Sequence, residues 1–294
     1  MTSDDAALDY HVVDVFTTTP YAGNPLAVVL GADDLSTRQL QSLAREFNLS
    51  ETAFPMAATK DGATYRLRIF TPATELPFAG HPSVGAAWVM RRLGRIDDGE
   101  IVQECGAGLL PLAVSADTIT LTGGAASLSE PLDAAPFLAA VGLGDADVGG
   151  TPVRWAGCGL DFAFLHVHES ALTRCAPDLA QLAHLGNGGV SVFAAAADRM
   201  HVRVFAGGVG VAEDPATGSA ALGLGVFLVG SGLLPGSGRT SYVVEQGIEM
   251  GRPSRLECSL EVTDGTVTSA TVSGSVVSIA QGRIAVPPSD SSGS

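Results

Sequence analysis

The sequence predicts an α+β protein built from two similar domains. Three observations carry that expectation. The chain has 294 residues, a length that suits about two domains. Short β-branched runs alternate with helical patterns along most of it. One arrangement also occurs twice, in Arg68–Met90 (R-I-F-T-P-A-T-E-L-P-F-A-G-H-P-S-V-G-A-A-W-V-M) and in Arg203–Leu228 (R-V-F-A-G-G-V-G-V-A-E-D-P-A-T-G-S-A-A-L-G-L-G-V-F-L). Each copy is a strand ending in Arg, a β-branched residue and Phe, then a loop, then a Gly opening an Ala/Gly-rich helix. Arg68 to Gly80 is 12 positions and Arg203 to Gly218 is 15, so the second loop is three residues longer. A repeat of this span marks two copies of one structural unit.

In order along the chain, His11–Phe16 and Pro25–Leu30 read as neighbouring strands joined by the turn-rich T-T-T-P-Y-A-G-N. Ser36 with Gln39 forms a capping-box pattern, Leu40, Leu43, Ala44 and Phe47 share one helical face, and Asn48 ends the helix. Leu49–Met56 resumes as strand with Glu51 at its beginning. Tyr65, Leu67 and Ile69 alternate with Arg66, Arg68 and Phe70 as in a half-buried strand. The loop of Pro72, Glu75 and Pro77 leads into the first repeat helix, which Gly94 closes. Ile101–Cys105, Leu109–Val114 and Thr118–Thr122 continue the sheet, and Gly123 and Gly124 start a less regular stretch.

Pro131–Gly150 reads as a linker with one short helix around Pro136–Val141, which puts a domain boundary near residue 125. The expected domains are 1–125 and 126–286, with the final strand near 277–286 able to return to the first. Beyond the boundary, Phe162–Val167 is a strand, Pro177–His184 a helix, and Val190–Ala195 and His201–Ala206 are strands before the second loop and helix. Tyr242–Glu245, Leu256–Val262, Thr266–Val272 and Val276–Val286 close the chain as strands. The polar residues 287–294 read as a disordered tail.

Sixteen Lys and Arg against 31 Asp and Glu give a net charge of −15, with 46% hydrophobic residues. A chain this acidic lacks the basic surface that a phosphate backbone or an anionic membrane requires, so neither nucleic acid nor membrane is an expected partner. Cys105, Cys158, Cys175 and Cys258 form no C-x-x-C pair and read as buried thiols of a reducing compartment. The acidic start M-T-S-D-D does not resemble an export signal, so a cytoplasmic location is expected.

Chemistry points to the two helix starts, where backbone N–H groups lack internal partners and attract a carboxylate or a developing oxyanion. Gly80 and His81 lie at the first start, with Pro82 suited to the first helical position. His81 reads either as a helix cap or as a group that transfers a proton or orients a carbonyl. Glu51 is by local pattern a strand-end carboxylate. Desolvated in a cleft between Leu49 and Phe54, its pKa would rise toward neutrality, as a carbon acid/base catalyst needs. At the second start Asp214 reads either as a dipole partner or, with Glu213, as a ligand for a substrate amine or hydroxyl. Thr217 and Ser219 can open the helix or hold a ligand. The G-G-V-G of 207–210 is not followed by G-K-[ST] and carries no phosphate-loop reading. His166 and His168 share a strand face without a third ligand nearby, so no metal is expected.

Five stretches in order, 16–29 (F-T-T-T-P-Y-A-G-N-P-L-A-V-V), 44–54 (A-R-E-F-N-L-S-E-T-A-F), 68–82, 213–221 (E-D-P-A-T-G-S-A-A) and 246–254 (Q-G-I-E-M-G-R-P-S), resemble the phenazine-biosynthesis PhzF-like isomerase family. The resemblance runs from about residue 10 to 286. It implies a diaminopimelate-epimerase-like fold of two pseudo-symmetric domains, each a curved, mostly antiparallel sheet around a central helix. Val84–Arg92 and Ala220–Val229 would be those helices, with the active site between the domains. It implies that Glu51, His81 and Asp214 are catalytic, Glu51 as acid/base. Ser50, Gly80, Pro82, Ser83, Thr217, Gly218 and Ser219 would bind substrate. Family members move a proton between carbons of a small carboxylate-bearing metabolite, without metal or organic cofactor, and the prototype acts on a dihydro-hydroxyanthranilate. A homodimer is expected on the same ground. Two-thiol epimerases of the wider superfamily use one Cys from each domain, and none of the four here falls in a motif. Pro215 directly after Asp214 restricts Asp214 to extended conformations. A non-catalytic small-molecule binding protein and an epimerase of an amino-acid derivative remain open alternatives.

Overall fold

A computed structural model describes residues 7–186, 188–207 and 211–289. Residues 290–294 of the expected tail and positions 208–210 of the G-G-V-G stretch lie outside the described residues. The chain packs as two compact units. The first comprises the chain up to Tyr21, Pro25–Leu121 and everything from Ser275 onward, and the second comprises Ala22–Asn24 and Thr122–Gly274.

In the first unit β1 (Ala7–Val15) pairs with β2 (Asn24–Val29). Helix α1 (Thr37–Phe47) follows. The Gln39 N–H donates to Ser36 Oγ and the Ser36 N–H donates to Gln39 Oε1, which completes the capping box. Asn48 ends the helix in the left-handed region at φ +50° and turns the chain into β3 (Glu51–Met56), parallel to β2. Antiparallel β4 (Tyr65–Phe70), the short β5 (Glu75–Leu76) and helix α2 (Gly80–Arg92) come next. Then β6 (Gly99–Cys105) lies parallel to β4, and β7 (Gly108–Val114) and β8 (Ile119–Thr122) follow antiparallel.

The second unit repeats this order. After β9 (Ala126–Leu128) and α3 (Ala135–Ala140) come the antiparallel β10 (Arg154–Cys158) and β11 (Asp161–His166). Short helices α4 (Glu169–Leu172) and α5 (Leu179–His184) lead to β12 (Val190–Ala196), parallel to β11. Antiparallel β13 (Arg199–Ala206), β14 (Val211–Asp214) and helix α6 (Gly218–Gly230) match β4, β5 and α2. Then β15 (Gly238–Gln246) lies parallel to β13, with β16 (Ser254–Thr263) and β17 (Thr266–Gly274) antiparallel beyond it. The last strand, β18 (Val276–Ala285), returns to the first unit and pairs with β1.

Each repeat helix is the axis of its unit. Gly80–Met90 of α2 and Gly218–Val229 of α6 are buried at every position, the mark of a helix with apolar neighbours all round. Helix α6 touches both β9 and β17, which stand at opposite ends of their strand order, so the sheet must curl around it. Helix α2 likewise touches both β18 and β7. Glycine makes the close approach workable: a Cβ on Gly85 would lie 2.5 Å from Leu26 Cδ2, and one on Gly223 2.9 Å from the Ala156 carbonyl.

The repeat extends to its salt bridge. Arg68 grips Glu75 with two bonds of 2.7 Å, and Arg203 grips Glu213 with two of 2.8 Å. Each guanidinium also stands 5.1 Å from the ring of the Phe two residues on, Phe70 or Phe205. These pairs hold each loop to its strand just before the helix.

Several details differ from the sequence expectation. Strand β10, R-W-A-G-C, gave no strand signal because Ala156 and Gly157 are small, and they are small because Gly223 of α6 lies against them. The short β5, β9, β14 and α4 also went unmarked. Pro82 is the third helical residue and not the first, since α2 begins at Gly80 after Ala79. The position suits proline equally, because the N–H it lacks would have had no carbonyl to meet.

Candidate active site

In the first unit the left-handed Asn48 turn brings Glu51 out at the start of β3, and the buried start of α2 brings His81 beside it. His81 Nε2 stands 3.4 Å from Glu51 Oε2, with the side chains 4% and 12% exposed. Burial lowers the pKa of His81 to about 3, so its imidazole is neutral at physiological pH. Ala79 holds the capping position of α2 in extended conformation and makes no side-chain cap bond. The first-turn N–H groups of Gly80 and His81 therefore precede any i→i−4 pairing, the property that makes a helix start an anion site. Ser50 is partly exposed at the turn, while Gly80, Pro82 and Ser83 are buried. The Ser83 hydroxyl donates to the Ala79 carbonyl at 2.9 Å and accepts from Gln103 Nε2 at 2.9 Å, and the Tyr65 hydroxyl donates to Gln103 Oε1 at 2.8 Å. That chain of bonds commits Ser83's side chain to the unit's interior.

In the second unit Asp214 ends β14, and its two oxygens receive different donors. Asn24 Nδ2 donates to Oδ1 at 2.8 Å and the Thr217 hydroxyl donates to Oδ2 at 2.5 Å. Asp214 keeps a partly open edge, but its carboxylate lies deep enough that burial raises its pKa from 3.8 to about 6, while those two bonds pull the other way. Gln246 closes the arrangement. Its Nε2 donates to the Asp214 carbonyl at 2.7 Å and to Thr217 Oγ1 at 3.0 Å, and its Oε1 accepts the Thr217 N–H at 3.1 Å. Thr217 is the capping residue of α6 and makes no side-chain cap bond, and the buried Gly218 and Ser219 supply the first-turn N–H groups. Asn24 and Gln246 were not singled out in the sequence. Both fall inside stretches that carry the family resemblance, which is the signal that was available.

Matching the repeats through Arg68 and Arg203 and through strand register sets Glu75 against Glu213, Leu76 against Asp214, Ala79 against Thr217, His81 against Ser219 and Glu51 against Gly189. Each unit thus carries its own polar set on a common frame.

Glu213 is taken up by Arg203, whose Nη1 also donates to the carbonyls of Leu172 and Cys175. It is a structural ion pair and not a ligand for an amine. The cysteines are all buried and free, and burial raises the thiol pKa, to about 12 for Cys158 and Cys258, about 11 for Cys175, and upward for Cys105. Such thiols are poor nucleophiles and bases. Each single Cys→Ser variant that folds is expected to keep wild-type turnover, and a large loss in any one would restore a thiol mechanism. Among the described residues no group of three His, Cys, Asp or Glu is placed to hold a metal ion. No helix among them is long and apolar enough to cross a membrane.

Two buried groups set an acid-stability signature. His81 has its pKa lowered from 6.5 to about 3, so its contribution to stability is present above 6.5 and lost as pH falls toward 3. Asp214 has its pKa raised from 3.8 to about 6, so its contribution is present below 3.8 and lost as pH rises through about 6. Between pH 6 and 3.8 the two slopes oppose each other. Urea unfolding across that window should show stability falling more steeply with acid in Asp214→Asn than in the wild type, and less steeply in His81→Gln. Parallel curves for all three proteins would contradict these assignments.

The chain is similar to known proteins over nearly its whole length. The family model described as phenazine biosynthesis-like protein matches residues 13–282. The chain is 35% identical over 282 residues to the trans-2,3-dihydro-3-hydroxyanthranilate isomerase of Pseudomonas aeruginosa, covering 93% of this chain and 98% of that one. Its fold is similar to a PhzF-family phenazine biosynthesis protein of Bacillus anthracis, with a TM-score of 0.86 at 22% identity over 95% of this chain and 99% of the other. That likeness speaks to fold alone. A structure described as a predicted epimerase of Pseudomonas aeruginosa gives a TM-score of 0.78 at 32% identity, covering 94% and 99% of the two chains.

Proposed function

The chain belongs to the phenazine biosynthesis-like family and is an isomerase, and we propose that it moves a proton between carbons of a small carboxylate-bearing metabolite, with Glu51 as general acid/base. The observation that carries this reading is Glu51 set 3.4 Å from a buried, neutral His81 at the start of α2. A carboxylate in that position takes a proton from an acidic carbon and returns it to a neighbouring one. The neutral imidazole orients the substrate or passes the proton without adding a charge that would pin Glu51 in its ionised form.

In this reading the N–H groups of Gly80 and His81 stabilise the enolate-like charge that develops as the proton leaves, and a helix start such as that of Gly218 and Ser219 suits a carboxylate. Asp214, ionised above about pH 6, accepts from a substrate amine or hydroxyl. Ser50, Thr217 and Ser219 complete the polar lining, and Pro82 shapes the helix start. The chemistry needs no group beyond the chain's own side chains and backbone. The relative's named substrate, a ring bearing a carboxylate, an amine and a hydroxyl, carries the groups that a helix-start anion site and a carboxylate bind, and it supports the same substrate class here.

The test is solvent-deuterium incorporation into a panel of small cyclic and acyclic carboxylates headed by trans-2,3-dihydro-3-hydroxyanthranilate. Incorporation at a ring or allylic carbon of at least one member, at a rate dependent on enzyme, is the expected result. Ligands that bind and never exchange would favour a binding protein. Inversion at a single stereocentre without movement of a double bond would favour an epimerase.

A further inference from the structure

Gln246 lies at the end of β15, one per cent exposed, and three of its four amide hydrogen-bonding positions point at two residues. Its oxygen takes the Thr217 N–H, and its nitrogen donates to the Asp214 carbonyl and to Thr217 Oγ1. A hydroxyl that accepts from Gln246 has its own hydrogen left for Asp214 Oδ2, where the Thr217 bond is found. Gln246 thus sets the direction of the Thr217 hydroxyl, and through it the donor that Asp214 feels.

The repeat shows that the fold does not require this. Strand register places Cys105 of β6 at the position that Gln246 occupies in β15. Leu76 and Ala79 stand where the second unit has Asp214 and Thr217. In the first unit the equivalent strand end meets the loop through the backbone, the Ala107 N–H donating to the Pro77 carbonyl at 3.0 Å. Three polar residues of the second unit are three apolar or weakly polar ones in the first, on the same frame.

We propose that Gln246 is a positioning residue for the isomerisation, holding the Thr217 hydroxyl on Asp214 so that Asp214 meets the substrate as a carboxylate. This rests on the assignment of Asp214 to the substrate site. In the same unit Glu213 is tied to Arg203, and the Arg252 guanidinium donates to the carbonyls of Ala22 and Gly23 beside Asn24.

The test is carbon-13 NMR titration of aspartate carboxyls in the full chain, with the Asp214 signal identified by its loss in Asp214→Asn. Gln246→Glu and Gln246→Met are compared with wild type. Gln246→Glu turns a donor into an acceptor that draws the Thr217 hydrogen away, and the Asp214 midpoint should rise by about one pH unit. Gln246→Met should shift it in the same direction by less. The acid limb of deuterium exchange into trans-2,3-dihydro-3-hydroxyanthranilate should move with the midpoint. An unchanged Asp214 midpoint in both variants overturns the proposal, as does failure of both to fold, which would make Gln246 a residue of the fold. An acid limb that persists in Asp214→Asn would instead remove Asp214 from the substrate site, and the NMR midpoint would still report separately on the coupling to Gln246.

Discussion

Glu51→Gln is expected to bind an anionic ligand as the wild type does and to turn substrate over about 10²–10⁴-fold more slowly, the usual worth of a positioned acid/base. The substitution keeps the shape of the side chain and its place at the head of β3, set by the Asn48 turn and the parallel pairing of Leu26 with Glu51. It removes only the group that carries the proton. Backbone N–H groups at the helix starts do not change, so affinity for a carboxylate should be kept. Calorimetric binding and steady-state turnover on the same variant separate the two effects. A loss of binding equal to the loss of turnover would make Glu51 a ligand for the substrate and not its proton carrier.

The second large effect is on stability. Arg203→Ala should destabilise the protein by about 3 kcal/mol or more, because it strands the Glu213 carboxylate, frees two carbonyls and removes a cation from the Phe205 ring. The equivalent change Arg68→Ala should cost less. Glu75 is 38% exposed where Glu213 is 16%, so water can replace the lost partner in the first unit. Equilibrium urea unfolding of the two variants gives the comparison. Equal losses would mean that burial does not set the worth of these pairs.

The repeat was legible because its landmarks are local. Arg, a β-branched residue, Phe and a later Gly recur in order, while the ion pairs to Glu75 and Glu213 emerge only in the structure. The capping box of Ser36 and Gln39 was legible for the same reason. Strand β10 was hidden because its small residues make room for α6, so tertiary packing overrode the local pattern. Glu51, His81 and Asp214 were candidates by position, each with an ordinary reading beside the functional one, and the resemblance is what favoured the functional reading. Asn24 had no local signature, because its partner Asp214 lies 190 residues away. Gln246 is likewise a strand residue until the loop before α6 folds against it.

The central claim is that Glu51 carries the proton, and the measurement that bears on it most directly is the rate of solvent-deuterium incorporation into a substrate by wild type and by Glu51→Gln under identical conditions. The account predicts enzyme-dependent incorporation by the wild type and a rate at least about 10²-fold lower for Glu51→Gln at saturating substrate. Exchange by Glu51→Gln as fast as by the wild type would contradict it and pass the role to His81 or Asp214.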